Sequence, residues 1–199
     1  MTLSGSVLVV CTGNVCRSPY VERRLRHELA GTGIEVTSAG TGALVGRDMD
    51  PSSRDLLERA GVDAAGFTAR ALTPELVSGS DLVIAAAREH RAAAARLAPA
   101  ALRRTLTLTD LADLLDGVSA QEVVDAGVPG SWVRQVAAVA VSRRGLVAAR
   151  QEAVDITDPI GQGPAVFARM ATEVEAALAR VVPVLRGATS TPGSSPRRP

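Results

Sequence analysis

The sequence predicts an α/β fold in three layers, with a central parallel sheet of about four strands and helices on both faces. Short apolar runs rich in β-branched residues alternate along the chain with segments of helical spacing, which is typical of parallel sheets. The chain has 199 residues, of which 46% are hydrophobic, and this suffices for one buried core. We therefore expect a single domain over residues 1–186.

Each element follows from a local pattern. Buried strands are predicted at residues 6–10, 34–37 and 81–86. Helices are predicted at residues 18–30, 51–60, 88–97 and 166–183, with Ser18 as the N-cap of the first and Pro183 ending the last. Residues 110–150 are predicted to form a mostly helical insertion. Residues 187–199, rich in Gly, Ser and Pro, are predicted to be a disordered tail.

The loop after the first strand has the features of an anion site. Cys11 ends the strand, Gly13 permits a tight turn, and Arg17 directly precedes a helix. Backbone amides of residues 12–17 can converge on one anion there, and the helix N-terminus adds partial positive charge. Such a position favours the thiolate of a cysteine, and the planar guanidinium of Arg17 matches two phosphate oxygens. In parallel α/β sheets, ligands bind beyond the carboxyl ends of the strands, and Cys11 lies at such an end.

The segment VLVVCTGNVCRSP resembles the phosphate loop of the low-molecular-weight protein tyrosine phosphatases, with the pattern Cys-x5-Arg-Ser. SAGT at residues 38–41, DLVIAA at residues 81–86 and the pair Asp158-Pro159 follow in the order of that family. The resemblance covers residues 5–110 and 155–185 and leaves the stretch between them unmatched.

The resemblance implies a cysteine-dependent phosphomonoester hydrolase, most directly a protein tyrosine phosphatase. Cys11 would form a covalent phospho-enzyme, Arg17 would hold the phosphate, and Asp158 would be the general acid. Asn14 would brace the loop, and the Ser18 hydroxyl would donate to the thiolate. Neither a metal nor a cofactor is implied, because loop amides and Arg17 supply the positive charge. The implied phosphate-binding residues are Thr12, Gly13, Asn14, Val15, Cys16, Arg17 and Ser18.

The sequence leaves two assignments of this site open. Asp155 lies three residues before Asp158, so either carboxyl group could be the acid. Cys16 either fills space at the helix start or, as the resemblance implies, traps oxidised Cys11 in a reversible disulfide. Both questions require the three-dimensional arrangement.

Substrate preference is suggested by a few positions around the loop. An apolar branched residue such as Val15 is carried by the tyrosine-directed branch of the family, whereas the phosphoarginine-directed branch carries Thr there. Family members acting on phosphotyrosine usually place two aromatic rings where this chain has Ile160 and, approximately, Leu44, so stacking on a substrate ring is weakened. Trp132, in the predicted insertion, is a hypothetical replacement wall.

The remaining composition limits location and partners. The net charge is +1 and every basic residue is Arg, so we expect neither nucleic acid nor membrane binding. The two cysteines cannot build a disulfide framework, and no secretory signal is evident, so we expect a cytoplasmic location. The predicted partner is a phosphorylated protein or a small phosphoester, and the predicted state is a monomer or weak dimer. His27 and His90 are expected to be solvated surface residues.

Two other functions stay open at this stage. Arsenate reduction uses the same fold, but this chain has no further cysteines, so it would need an external thiol. A non-catalytic module that binds phosphorylated ligands is the second alternative. The presence of Cys11, Arg17 and Asp158 together argues against it.

Overall fold

The computed structural model describes residues 3–147 and 155–187. Within them, four parallel strands form one sheet in the order β2-β1-β3-β4. The strands are β1 (Gly5–Cys11), β2 (Ile34–Gly40), β3 (Leu82–Ala85) and β4 (Thr105–Thr107). The helices are α1 (Arg17–Glu28), α2 (Pro51–Arg59), α3 (Pro74–Gly79), α4 (Arg88–Leu97), α5 (Leu108–Leu115), α6 (Ala120–Asp125), α7 (Trp132–Ser142) and α8 (Pro164–Leu185), with a 3-10 helix at Pro99–Arg104.

Strand β1 is buried on both faces, as its apolar run predicts. Val7 and Val9 point into a large apolar cluster that α1 and α8 help to build. Leu8 and Val10 point into a smaller cluster on the opposite face, which α3 and α4 help to build. Successive strand residues face opposite sides of a sheet, so these two clusters are the two interlayer cores. The predicted three-layer α/β fold is thereby confirmed.

The register of the sheet brings three strand ends together. Cys11 at the end of β1 pairs with Gly40 at the end of β2, and Val10 pairs with Ala85 at the end of β3. The loops that follow these strands therefore meet at one edge. Residue 187 is the last described residue at the carboxyl end, so the tail predicted at residues 187–199 lies outside the described residues beyond that glycine.

The start of α1 differs from the prediction. The helix begins at Arg17, its N-cap is Cys16, and no side chain caps it. Ser18 is not the N-cap because it lies inside the first turn, where its hydroxyl is 2.9 Å from the Cys11 sulfur. The first turn is thus oriented toward the end of β1.

Helix α8 continues through Pro183 to Leu185, so the predicted end at the proline is wrong. A proline inside a helix removes one backbone donor, which costs stability unless other contacts offset the loss. Here Val184 and Leu185 are buried, and the indole nitrogen of Trp132 donates to their carbonyls at 3.2 and 2.9 Å. The Val184 carbonyl also accepts from the amide of Gly187, so it is the Leu185 carbonyl that depends on the tryptophan for its donor among the described residues.

The hypothesis that Trp132 walls the phosphate pocket is wrong. The amide of Val133 donates to the carbonyl of Ser4, which places the start of α7 beside the start of β1. Cys11 lies at the other end of that strand, roughly 20 Å away at the usual rise per strand residue. Trp132 is a core residue at the far edge of the sheet, 2% exposed.

We expect Trp132→Phe to lower the free energy of unfolding by about 1–2 kcal/mol, because the buried carbonyl of Leu185 loses its donor. Urea unfolding followed by circular dichroism measures this, since the substitution removes the single tryptophan of the chain. Turnover of a phosphoester should be unchanged. A fall in turnover without a loss of stability would contradict this assignment.

Candidate active site

Residues 11–17 form a loop between β1 and α1, and most of its carbonyl groups accept hydrogen bonds from within the protein. Four of these carbonyls accept from the amides of the segment after β2, in the pairs Thr41 to Cys11, Gly42 to Thr12, Leu44 to Gly13 and Asp50 to Val15. Among the described residues, no acceptor is bonded to the amides of residues 12–17. These amides are therefore left for a bound anion, as in other loops at helix N-termini.

The sulfur of Cys11 lies 2.9 Å from the hydroxyl oxygen of Ser18. That oxygen accepts a hydrogen bond of 2.9 Å from the side-chain Nδ2 atom of Asn14. The Ser18 proton is therefore free to point at the sulfur, where it stabilises a negative charge. Cys11 itself is 2% exposed and lies at the bottom of the pocket.

Asn14 has a left-handed backbone conformation, with φ of 53°, and is the only such residue other than glycine in the described chain. Its side-chain oxygen accepts from the Arg70 amide at 2.9 Å, which fixes the orientation of the carboxamide. Its nitrogen donates to Ser38 at 2.8 Å as well as to Ser18. Ser38 in turn donates to buried Glu22 at 2.6 Å. This network holds the loop in a conformation that costs free energy in isolation.

Gly40 of β2 lies directly against the loop. An added Cβ would overlap the carbonyl oxygen of Thr12 and lie 3.0 Å from the Cβ of Asn14. We expect Gly40→Ala to displace the loop and to lower kcat/KM by on the order of 10-fold to 100-fold. Gly79→Ala is the matched control, because nothing lies within 4 Å of its added Cβ. Equal activity of the two variants would show that loop position is not limiting.

Arg17 and Asp158 meet at the mouth of the same loop. The Nη2 atom of Arg17 is 2.6 Å from the Oδ2 atom of Asp158 and 3.4 Å from the Thr12 hydroxyl, and Nη1 is 3.4 Å from the carbonyl of Ile156. Arg17 is buried, while the side chain of Asp158 is 43% exposed. A bound phosphate would compete with the carboxylate for the guanidinium.

Asp155 lies elsewhere. Its Oδ1 atom accepts from the backbone amide of Arg88 at 3.0 Å and is 3.7 Å from the Arg88 side chain. It therefore holds the first turn of α4 and does not line the pocket. Of the two carboxyl groups that the sequence left open, the structure brings only Asp158 to Arg17.

A pocket of about 220 Å³ opens above Cys11. Its walls include Val15, Leu44 and Ile160, so the two positions expected to lack aromatic rings do line it. Leu44 and Ile160 are 46% and 50% exposed and form an aliphatic rim. Among the described residues, no group of three or more His, Cys, Asp or Glu side chains could hold a metal ion. None of the described helices is long and apolar enough to cross a membrane.

Cys16 lines the pocket as a buried, free thiol. Burial raises its pKa to about 12, and the negative charges of Asp50, Cys11 and Asp158 add to that effect against the opposing charge of Arg17. It is therefore protonated at neutral pH and a poor nucleophile. Its trapping of oxidised Cys11 stays a prediction.

His90 is a site residue that the sequence reasoning missed. It was expected on the surface, but it is 1% exposed and its Nε2 atom is 2.8 Å from the Thr12 hydroxyl. The expectation was wrong because β3 neighbours β1, so the helix after β3 begins beside the loop after β1. A signal was present, since His90 lies five residues beyond the end of β3, at the ligand-binding edge. His27 is exposed as expected.

A parallel α/β sheet that brings a cysteine sulfur, unbonded loop amides and an arginine to one pocket defines a cysteine-dependent phosphatase. Sequence comparison agrees with this class. The family described as low molecular weight phosphotyrosine protein phosphatase matches residues 6–126, more than half of the chain. The chain belongs to this family. The match extends past residue 110, so α5 and α6 lie within it, beyond the resemblance noted from motifs.

Individual relatives are similar over shorter spans. The low molecular weight protein-tyrosine-phosphatase Etp of Escherichia coli K12 is 42% identical over 101 residues, which are 51% of this chain and 67% of Etp. The probable low molecular weight protein-tyrosine-phosphatase EpsP of Ralstonia nicotianae is 44% identical over 79 residues, 40% of this chain and 53% of EpsP.

Two solved structures extend the similarity to most of the fold. The tyrosine phosphatase Wzb from Escherichia coli K30, in complex with sulphate, superposes with a TM-score of 0.63 at 27% identity, covering 89% of this chain and 96% of Wzb. The YwlE arginine phosphatase from Geobacillus stearothermophilus gives a TM-score of 0.65 at 26% identity, covering 92% and 93%. The fold is thus shared by a tyrosine phosphatase and an arginine phosphatase.

Proposed function

We propose that this phosphatase hydrolyses phosphotyrosine in proteins, with Cys11 as nucleophile, Arg17 as phosphate ligand and Asp158 as general acid. The observation that carries the proposal is the meeting of all three groups around one pocket, which Val15, Leu44 and Ile160 also line with apolar side chains. The phosphate-binding set is the loop Thr12, Gly13, Asn14, Val15, Cys16, Arg17 and Ser18.

In the first step, the Cys11 thiolate attacks phosphorus. A sulfur–phosphorus bond forms, the bond from phosphorus to the tyrosine oxygen breaks, and Asp158 gives its proton to that oxygen. The loop amides and Arg17 hold the three other phosphate oxygens, where negative charge is concentrated in the transition state. Tyrosine then leaves as a neutral phenol.

In the second step, water attacks the phosphocysteine. Asp158, now a carboxylate, takes a proton from that water, inorganic phosphate is released, and the Cys11 thiolate is restored. The hydrogen bond from Ser18 supports this step, because it stabilises the sulfur anion as it leaves. Water is the only reactant besides the phosphoester that these two steps consume.

Binding of substrate changes the contacts of the acid. Arg17 is paired with Asp158 at 2.6 Å. An incoming phosphate dianion competes with the carboxyl group for the guanidinium. Release from Arg17 leaves Asp158 at the mouth of the pocket, where it can face the leaving oxygen.

The depth and polarity of the pocket favour phosphotyrosine. Cys11 is 2% exposed, so a phosphate must reach past the rim, and the tyrosine ring provides that length whereas a serine side chain does not. The apolar walls of Val15, Leu44 and Ile160 suit a neutral ring, while a polar guanidinium beside them would lose hydrogen bonds to water. Phosphoarginine is also long enough to reach Cys11, but for this reason we expect it to bind less well than phosphotyrosine.

The test is a panel of phosphopeptides of one sequence that carry phosphotyrosine, phosphoserine or phosphoarginine. The expected result is hydrolysis of the phosphotyrosine peptide with the highest kcat/KM, and acid-quenched protein carrying one phosphoryl group on the peptide that contains Cys11. Preference for phosphoarginine would overturn the substrate assignment alone. Hydrolysis with no phosphoryl group on Cys11 would overturn the mechanism.

The other expectations stay predictions from the sequence. They are a phosphorylated protein or a small phosphoester as partner, a single domain, a monomer or weak dimer, and a cytoplasmic location. Reduction of arsenate finds no further thiol near the pocket, since Cys11 and Cys16 are the two cysteines of the chain.

A further inference from the structure

His90, in the first turn of α4, is buried against the phosphate loop and has no role in the mechanism above. Its Nε2 atom lies 2.8 Å from the Thr12 hydroxyl oxygen and 3.3 Å from a carboxylate oxygen of Glu89. Its Nδ1 atom is buried and has no hydrogen-bond partner within residues 3–147 and 155–187. Buried polar groups are usually hydrogen-bonded, so the burial of this ring beside a substrate-binding loop requires an explanation.

These contacts fix the position of the ring proton. A proton on Nε2 of His90 would face two oxygen atoms, those of Thr12 and Glu89. A proton on Nδ1 would instead be buried with no acceptor in the described chain. The Nε2–H tautomer is therefore favoured, and His90 donates to Thr12.

The direction of that bond determines what Thr12 can do. Its oxygen accepts from His90 at 2.8 Å and faces Nη2 of Arg17 at 3.4 Å. With both lone pairs engaged, the Thr12 hydroxyl proton has no protein acceptor among the described residues. Thr12 lines the pocket, so an oxygen of a bound phosphate can accept this proton.

We propose that His90 is a positioning residue that orients the Thr12 hydroxyl so that it donates its proton to a phosphate oxygen of the substrate. Through Thr12, it also supports the guanidinium of Arg17, whose Nη2 atom contacts both the Thr12 hydroxyl and Asp158. This proposal rests on the proposed function, because it assigns a further donor to the same phosphate.

The charge state of His90 agrees with this role. Burial lowers the pKa of His90, and the neighbouring Arg17 guanidinium lowers it further, against the opposing charges of Glu89, Asp158 and Asp155. A neutral ring can hold Thr12 without adding a second buried positive charge beside Arg17.

The experiment measures the inhibition constant of inorganic phosphate and kcat/KM for p-nitrophenyl phosphate. Thr12→Val keeps the shape of the side chain and removes the hydroxyl, and we expect it to weaken phosphate binding about tenfold. We expect His90→Leu to weaken phosphate binding about fivefold to tenfold. The double variant should bind phosphate at most about twofold more weakly than Thr12→Val alone, because both substitutions remove the same interaction.

Two conservative variants separate positioning from mere packing. Thr12→Ser restores the hydroxyl and His90→Gln restores a side-chain N–H donor, so each should recover a large part of the loss. The control is His27→Leu, an exposed histidine in α1, which should leave the phosphate inhibition constant unchanged. If His90→Leu lowers thermal stability while the phosphate constant stays at the wild-type value, the positioning role is wrong.

A second readout separates this proposal from the proposed function. In a Cys11→Ser background, inorganic phosphate should raise the thermal unfolding midpoint, and the added Thr12→Val substitution should reduce that rise. This holds whether or not the protein turns over any phosphoester. If His90→Leu does not fold, Thr12→Val decides the question, and an undiminished rise in that variant overturns the proposal.

Discussion

Cys11→Ser is expected to abolish hydrolysis of p-nitrophenyl phosphate, lowering kcat by on the order of 10⁴-fold or more. A serine hydroxyl is not ionised near neutral pH, and the amide donors around it cannot change that. The variant should still bind inorganic phosphate, because the loop amides and Arg17 are unaltered. Steady-state release of p-nitrophenol at mildly acidic pH measures the loss.

The second cysteine provides the comparison. Cys16→Ser should still form the phospho-enzyme, since the Cys16 thiol is protonated at neutral pH, with a pKa raised by burial to about 12. Residual turnover by Cys11→Ser that disappears in the double variant would mean that Cys16 attacks phosphorus. Full turnover by Cys11→Ser would remove the basis of the mechanism.

Asp158→Asn is expected to lower kcat for a phosphotyrosine peptide by on the order of 10²–10³-fold. An amide cannot protonate the leaving oxygen, and the tyrosine phenol, with a pKa near 10, is a poor leaving group as an anion. The loss should be smaller for p-nitrophenyl phosphate, whose phenolate leaves without a proton. The dependence on leaving group distinguishes loss of an acid from loss of the Arg17 contact.

Asp155→Asn is the matched control for that substitution. It removes a carboxylate three residues away that bonds the first turn of α4 and does not line the pocket. We expect the same kcat as wild type for both substrates. If Asp155→Asn shows the leaving-group dependence and Asp158→Asn does not, the acid has been assigned to the wrong residue.

Local patterns were sufficient to predict the architecture. The run before Cys11 became a strand buried on both faces, and the helix at Arg88–Leu97 has the predicted bounds. Strand β4 was not located from the sequence, because a run of three residues carries too little pattern and is defined as a strand by its pairing with β3. Boundaries failed where side-chain contacts decided them, with Cys11 and Asn14 at Ser18 and with the distant Trp132 beyond Pro183.

The site was predictable where chemistry resides in adjacent residues, and not where it depends on tertiary packing. Cys11, Arg17 and the loop between them are contiguous, so their convergence follows from one turn. The choice between Asp155 and Asp158 depends on which carboxylate the chain after residue 154 directs at Arg17. The contact of His90 with Thr12 spans 78 positions and depends on strand order. Trp132 was assigned to the pocket because its helix could not be placed relative to the sheet.

The left-handed turn at Asn14 has a consequence for the time course of binding. Its carboxamide is bonded to groups of the protein itself, namely Ser18, Ser38 and the amide of Arg70. A loop held by such internal bonds needs no slow rearrangement before an oxyanion can enter. Mixing the protein with vanadate in a stopped-flow instrument should therefore give a single exponential whose rate rises linearly with concentration, without a plateau.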